Sequence, residues 1–502
     1  MKKSPLSKGS EWSFELLQTY DKEIGRIAKD YGLDTYPNQI EIISAEQMME
    51  SYASVGMPIG YHHWSFGKHF VSVEKGYKRG HMGLAYELVI NSDPCISYLM
   101  EENTMATQAL VIAHACYGHN SFFKNNYLFR MWTSADAIID YLVFAKHYIA
   151  ECEERYGIDE VEAILDACHA LMNYGVDRYK HPSVLSLQEE KIRQQNREVY
   201  LQSQVNELWR TIPQQKDAGK NGDKIRFPEE PQENILYFIE KNAPLLESWQ
   251  RELVRIVRKI AQYFYPQGQT KVMNEGWACF WHYTLLNSLY DEGLVTDEFM
   301  LEVLQSHTNV IMQPPYNSPY YSGINPYTLG YHMMQDIKRI AENPTEEDKQ
   351  YLPYLANTDW KKSLDTAMRN YKDESFISQF LSPKLMRDLK LFEIVDDDEE
   401  SEFLIGAIHN EQGYANIRDA LSRQYNLGYL EPDIQVFSVD VIGDRSLTLH
   451  YAQQNRVPLG NTTHEVLKHL HTLWKFPIQL FAIDTTGNVT AEYHCPEKAN
   501  KD

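Results

Sequence analysis

Residues 104–124, TMATQALVIAHACYGHNSFFK, set the reading of the whole chain. Thr104 is an N-cap candidate and the residues after it are helix formers, so a helix is predicted to start here. It is an apolar helix that nevertheless carries two imidazoles, His114 and His119. A second stretch of the same kind, KVMNEGWACFWHYTLLNSLYDEG (271–293), carries Glu275 and His282 and ends at Gly293. Between the two the pattern stays helical. SADAIIDYLVFAKHYIAECEERYG (134–157) has a Ser134 cap and a Gly157 stop. DEVEAILDACHALMNYGVDRY follows, then a Gln-rich helix over 187–210, and helix resumes over 233–265 with a break at Pro244. The best loop in the chain is 213–233, PQQKDAGKNGDKIRFPEEPQE.

Upstream, residues 11–31 read as an amphipathic helix, with Trp12, Leu16, Leu17, Tyr20, Ile24 and Ile27 at helical spacing, and 40–55 as a second helix. The His- and Gly-rich stretch 61–80 has no period, and AYELVINS (85–92) reads as a strand broken by Asp93-Pro94. Downstream, MQPPYNSPYYSGINPYTLG (312–330) holds four Pro and four Tyr, which excludes regular structure and suggests a packed-down segment. Helices then continue to about residue 390. From LFEIVDDDEESEF (391–403), with its acidic run Asp396–Glu400, the order becomes β-β-α-β-β-α-β-β. The fold is therefore read as α+β. A large, mainly α-helical N-terminal domain spans 1–390, with a small sheet and a candidate zincin-like site. A small α+β domain built on an antiparallel sheet spans 391–502.

A chain of 502 residues is too long for one ordinary core, in keeping with this division. The net charge of −22 argues against binding nucleic-acid backbones and against anionic membrane surfaces. There is no run of eighteen apolar residues and no apolar leader after MKKSPLSKGSEWSFELL, so neither a membrane span nor a signal peptide is expected. Six cysteines without a CxxC pair fit a reducing compartment, and a cytoplasmic location is expected. No GxxxxGK[ST] or GxSxG occurs, which removes support for P-loop and α/β-hydrolase chemistry.

The chemistry therefore rests on the two opening stretches. Zinc signatures place two His four residues apart, on one helical face. His114 and His119 are five apart, about 140° around an ideal helix. They reach one ion only through a π-bulge or if the helix ends near Gly118; otherwise each is satisfied locally. Glu275, in NEGWA, resembles the segment that supplies the third ligand, a glutamate, in gluzincin metallopeptidases, and His282 lies two turns further on nearly the same face. The set His114, His119, Glu275 and His282 would suit zinc or another divalent transition metal. The place of the catalytic glutamate of HExxH is taken by Ala115, followed by Cys116, itself a further candidate ligand. Three readings stay open. Glu275 is the base and the histidines are the ligands, or the site binds metal without standard peptidase chemistry, or no metal binds. His169 with Asp166 one turn before it, the group His62, His63, His69 and His81, and His307 rank lower.

AHACYGHNSFFKNN, VMNEGWACFWHYTLLN, HTNVIMQPPYNSPYYSGINPYTLG and KDESFISQFLSPKLMRD together resemble the stage V sporulation protein R (SpoVR-like) family, most closely its enterobacterial, YcgB-type branch. The resemblance runs through nearly the whole chain. It implies a link to spore cortex formation or to stress and stationary-phase physiology. It also implies a PrkA-type serine kinase and a YeaH-type protein as partners, and brings no defined reaction. Two functions follow as expectations. One is a metal-dependent, metallopeptidase-like hydrolase that lacks the standard HExxH glutamate. The other is a non-catalytic partner protein in a PrkA-type kinase-linked stress-response complex, docked through its C-terminal domain.

Overall fold

The computed structural model describes residues 4–53, 60–61, 63–64, 87–179, 227–228, 230–315, 318–395, 404–407, 409–453 and 459–496. His62, His69 and His81, the Gln-rich stretch 187–210, most of the 213–233 loop and the acidic run 396–400 lie outside the described residues. The protein is α+β, and its contacts divide it into two compact units. One comprises Met1–Leu165, Lys259–Pro432 and Asn455–Val457; the other comprises Asp166–Arg258, Asp433–Gln454 and Pro458–Asp502.

In the first unit α1 (Phe14–Tyr31) starts at Ser13, whose side chain accepts from the Leu16 N–H, and stops at Gly32, which takes φ 87°. Its apolar face buries Leu17, Tyr20, Ile24 and Ile27. The segment read as a helix over 40–55 divides in two. β1 (Asn38–Ile43) precedes α2 (Ala45–Ala53), because NQIEII alternates with period two before the helical residues begin. β1 pairs in parallel with β3 (Cys95–Met100), which pairs antiparallel with β2 (Glu87–Ile90). The sheet order β1-β3-β2 leaves β2 at an edge, with Glu87 at its first position.

After β3, Thr104 caps α3 (Met105–Val111) by accepting from the Thr107 N–H. The chain then continues without a break into a π-helix, Ile112–His119, all of whose residues are buried. Against it lies α4 (Lys271–Asp291), which is buried on nearly every face, as expected of a helix that is apolar all round. Asp373 holds the start of α4 by accepting from the N–H groups of Val272 and Met273 at 2.8 and 2.9 Å. Glycines set the approach of the helices. A Cβ on Gly118 would stand 2.6 Å from the Ala278 Cα, and one on Gly276 would stand 2.4 Å from the Gly330 Cα. Thus the π-helix, α4 and α6 (Pro326–Glu342) meet backbone to backbone at these points. Helix α5 (Asp297–Val310) completes the surroundings of α4.

Residues 311–315 and 318–325 form no helix or strand, as expected, whereas Pro326–Gly330, read as irregular too, open α6 with Pro326 in its first turn; the segment is braced by its own side chains. Asn325 Nδ2 donates to the carbonyls of Val310 and Met312, Gln313 Oε1 accepts from the Asn325 N–H, and Thr328 Oγ1 donates to the Ile311 carbonyl. The short pair β4 (Glu393–Val395) and β5 (Leu404–Ala407) and the helix Glu411–Arg423 fall in the first unit. Tyr414, Ile417 and Leu421 of that helix are buried in the main core, which is why the contact division runs to Pro432.

The second unit holds a four-stranded sheet in the order β6 (Ile434–Val439), β7 (Leu447–Ala452), β8 (Ile478–Ile483), β9 (Val489–Cys495). Both outer pairs are antiparallel, as the sequence indicated. The central pair β7–β8 is parallel, because the helix Thr463–Trp474 carries the chain across between them. No helix among the described residues is long and apolar enough to cross a membrane.

Candidate metal centre

The π-helix decides the site. Hydrogen bonding from i to i+5 brings side chains five residues apart toward one face, and the His114 and His119 rings lie 4.6 Å apart. The edge strand β2 brings Glu87 to them, and α4 brings Glu275. His114 Nε2 is 3.2 Å from Glu87 Oε1 and 3.7 Å from Glu275 Oε2. His119 Nε2 is 3.8 Å from Glu87 Oε1 and 3.4 Å from Glu275 Oε2. Each of the two ring nitrogens thus faces an oxygen of both carboxylates, and Glu87, His114 and His119 offer ligand atoms that all lie within 4.8 Å of one another. An ion with bonds of about 2.0–2.1 Å to such donors, in tetrahedral array, sets its ligands about 3.3 Å apart.

The far nitrogens are held as well. His119 Nδ1 and Asn274 Oδ1 are 2.9 Å apart, and the His119 ring stacks on Phe123. His114 Nδ1 meets His282 Nδ1 at 2.8 Å, and His282 Nε2 meets His307 Nδ1 at 2.7 Å. Tyr327, in the first turn of α6, hydrogen-bonds to Glu275. The two histidine side chains are 5% and 7% exposed, whereas the two carboxylates are 17% and 18% exposed, so the site is wetter on its oxygen side.

Charge and burial compete here. Burial disfavours a His119 cation, but the Glu275 carboxylate, by charge and hydrogen bond, and then Glu87 outweigh it and push His119 up to about 9. Burial also opposes ionisation of Glu275, and His119 and His114 hold it well below the usual carboxylate range. Burial and the Glu275 charge push Glu87 up, against the pull of His114 and His119. Burial, with the neighbouring imidazoles, keeps His282 well below its ordinary value and brings His307 down to about 4. The Glu275 charge, then burial, keep the Tyr327 hydroxyl protonated.

Of the residues singled out in the sequence, His114, His119 and Glu275 come together. His282 stands behind His114, with both nitrogens facing other imidazoles rather than the carboxylates. Besides Glu87, His114 and His119, a second set, His114, Cys279 and His282, offers ligand atoms within 4.8 Å of one another. The 2.8 Å between its two Nδ1 atoms is a hydrogen-bond length, shorter than the spacing of two ligands on one ion. Burial pushes the Cys116 thiol well up, so it packs as a small apolar group. His169, Asp166 and His63 join neither set among the described residues. Glu87, Asn274 and Tyr327 were not found from the sequence. Asn274 is adjacent to Glu275 and Tyr327 lies in a quoted motif. Nothing in spacing connects Glu87 to residues 114 and 119.

Glu87, His114, His119 and Glu275 all lie within one long family match. The family model described as SpoVR like protein matches residues 11–430, and that described as SpoVR-like C-terminal domain matches residues 432–485. The chain belongs to the SpoVR family. It is 65% identical over 493 residues to the Escherichia coli (strain K12) protein named "Uncharacterized protein YcgB", covering 98% of this chain and 97% of that one. No solved structure matches the chain significantly.

Proposed function

We propose that this SpoVR-family protein holds one divalent transition-metal ion between His114, His119, Glu275 and Glu87, and that the centre serves hydrolysis. The carrying observation is that His114 Nε2 and His119 Nε2 each lie 3.2 to 3.8 Å from an oxygen of both Glu87 and Glu275. Two carboxylates balance the two charges of the ion, and the mixed nitrogen and oxygen donors suit zinc, manganese or iron. The wetter oxygen side supports a further, fifth position open to water beside the four side chains, rather than a closed structural centre. A bound ion would supply a Lewis acid and a water ligand of lowered pKa. Asn274 fixes the His119 tautomer, Tyr327 donates to Glu275, and Glu87 adds a second carboxylate ligand from strand β2. The six cysteines are buried thiols, which supports a reducing, cytoplasmic setting.

Elemental analysis of the untagged protein tests this. We expect about one metal ion per chain, and near-zero metal in a folded His119→Ala variant. Near-zero transition metal in the wild type after incubation with zinc, manganese or iron(II) would remove the proposal.

A further inference from the structure

We infer that His282 and His307 are positioning residues, which keep the His114 ring oriented and accept its Nδ1–H when its Nε2, facing Glu87 and Glu275, binds an ion. The inference rests on the metal reading above. Three rings from three helices form one line: His114 in the π-helix, His282 in α4 and His307 in α5. All three are buried, at 4%, 1% and 4% exposure, and they meet ring nitrogen to ring nitrogen.

A neutral imidazole has one donor and one acceptor nitrogen. The line therefore has only two senses. In the first, His114 Nδ1–H donates to His282 Nδ1 and His282 Nε2–H donates to His307 Nδ1, leaving a hydrogen on His307 Nε2. In the second, every hydrogen bond is reversed, and His114 carries its hydrogen on Nε2. Both senses keep both hydrogen bonds. Only the first leaves His114 Nε2 able to bind an ion. The second places an N–H opposite Glu87 Oε1, 3.2 Å away.

His282 is gripped from both sides, so it cannot turn to face the ion. Its own role is to accept from His114 and to donate to His307. His307 Nε2 is buried without a hydrogen-bond partner, so no protein group forces the sense from that end. The sense is set at the His114 end, by the ion. The chain thus transmits no preference of its own. It keeps the ring of His114 oriented and satisfies its Nδ1–H once Nε2 is bound, as partners behind metal-binding histidines do.

The test uses full-length protein, zinc, and affinity measured by chelator competition. His282→Phe removes the acceptor with little change in volume and is expected to weaken zinc by about 10–100-fold. His282→Gln retains an oxygen acceptor and a nitrogen donor and is expected to recover most of that loss. In zinc-loaded wild type, the ring-nitrogen shifts of 15N-histidine should show His282 and His307 as Nε2–H and His114 as Nδ1–H. If His282→Phe does not fold, His307→Phe carries the test, with an expected weakening of about tenfold. Wild-type zinc affinity in a folded His282→Phe, or in His307→Phe, overturns the inference, as does an Nδ1–H His282 in the loaded protein. In those cases the metal reading survives. Absence of zinc from the wild type removes both.

Discussion

Glu240 of the second unit and Glu275 of the first are both carboxylates drawn out of water, and their partners differ in kind. The Glu240 side chain is 1% exposed and faces three cations: Lys241 Nζ at 2.7 Å, Arg255 Nε at 3.1 Å and Arg258 Nε at 3.0 Å. Burial works against its ionisation, but Lys241 and the two arginines keep it below its ordinary value. Glu275 faces His119, His114 and Tyr327, and among the described residues no Lys or Arg pairs with it. Glu240 is therefore complete within the protein. Glu275 reaches the same balance only when His119 carries a proton or when a cation stands in its place. The difference is that arginine and lysine bring fixed charges, whereas imidazole brings one only with a proton, which is what supports the proposed ion site at Glu275.

The same substitution at both positions gives the largest contrast. Glu275→Gln is expected to take bound zinc from about one per chain to near zero, with a folded protein. Glu240→Gln is expected to leave zinc unchanged and to lower the stability of its own unit by about 3 kcal/mol, since it leaves cations uncompensated. That figure is the lower end for a broken buried pair, because Lys241 and Arg255 are 45% and 39% exposed and recover hydration. Denaturant melts with metal analysis on both variants check this. If Glu240→Gln lost zinc, or Glu275→Gln kept it, the distinction between the two carboxylates would break.

The contrast was half legible in the sequence. His114, His119 and Glu275 stood out because imidazoles and a carboxylate interrupt helices that are otherwise apolar. The five-residue spacing named its own requirement, a π-bulge, and the chain adopts a π-helix over Ile112–His119. Gly118 against Ala278 shows how that helix comes so close to α4. Glu87 was not legible, because a strand's contribution to a site depends on sheet order, and β2 lies at the edge only through its pairing with β3. His282 was read as a ligand because two turns of helix bring it near the face of Glu275. In the structure its Nδ1 lies 2.8 Å from His114 Nδ1. The parallel pair β7–β8 was missed because strand spacing alone does not reveal a crossover.

Acidity sharpens the comparison, with opposite signs in the two regions. In the metal-free protein His119 is raised from 6.5 to about 9. Its contribution to stability is then fully present below pH 6.5 and is lost as pH rises through 9. Zinc must displace that proton, so zinc affinity should rise by about tenfold per pH unit over the same window and then level off. Glu240 is lowered from 4.5, so its contribution is present above that value and is lost as the solution is acidified. Chelator competition at pH 6.5, 7.5 and 8.5 reads the first effect. A flat profile would mean that His119 is neutral without metal and that Glu275 has another partner.

The smallest effect concerns the amide behind His119. Asn274 Oδ1 stands 2.9 Å from His119 Nδ1, so the ring donates there and presents Nε2 to the carboxylates. Asn274 is 8% exposed, and loss of its acceptor leaves a buried N–H without a partner. Asn274→Ala should weaken zinc by about tenfold, the lower end for a partner behind a metal-binding histidine. Asn274→Asp keeps the acceptor and adds charge, which makes Nε2 a stronger base, so zinc should bind at least as tightly as in the wild type. A packing role would give a different pattern, because both variants disturb the same contact and neither should then improve on the wild type. Affinities that fall equally in the two variants would therefore assign Asn274 to the core of α4 rather than to the site.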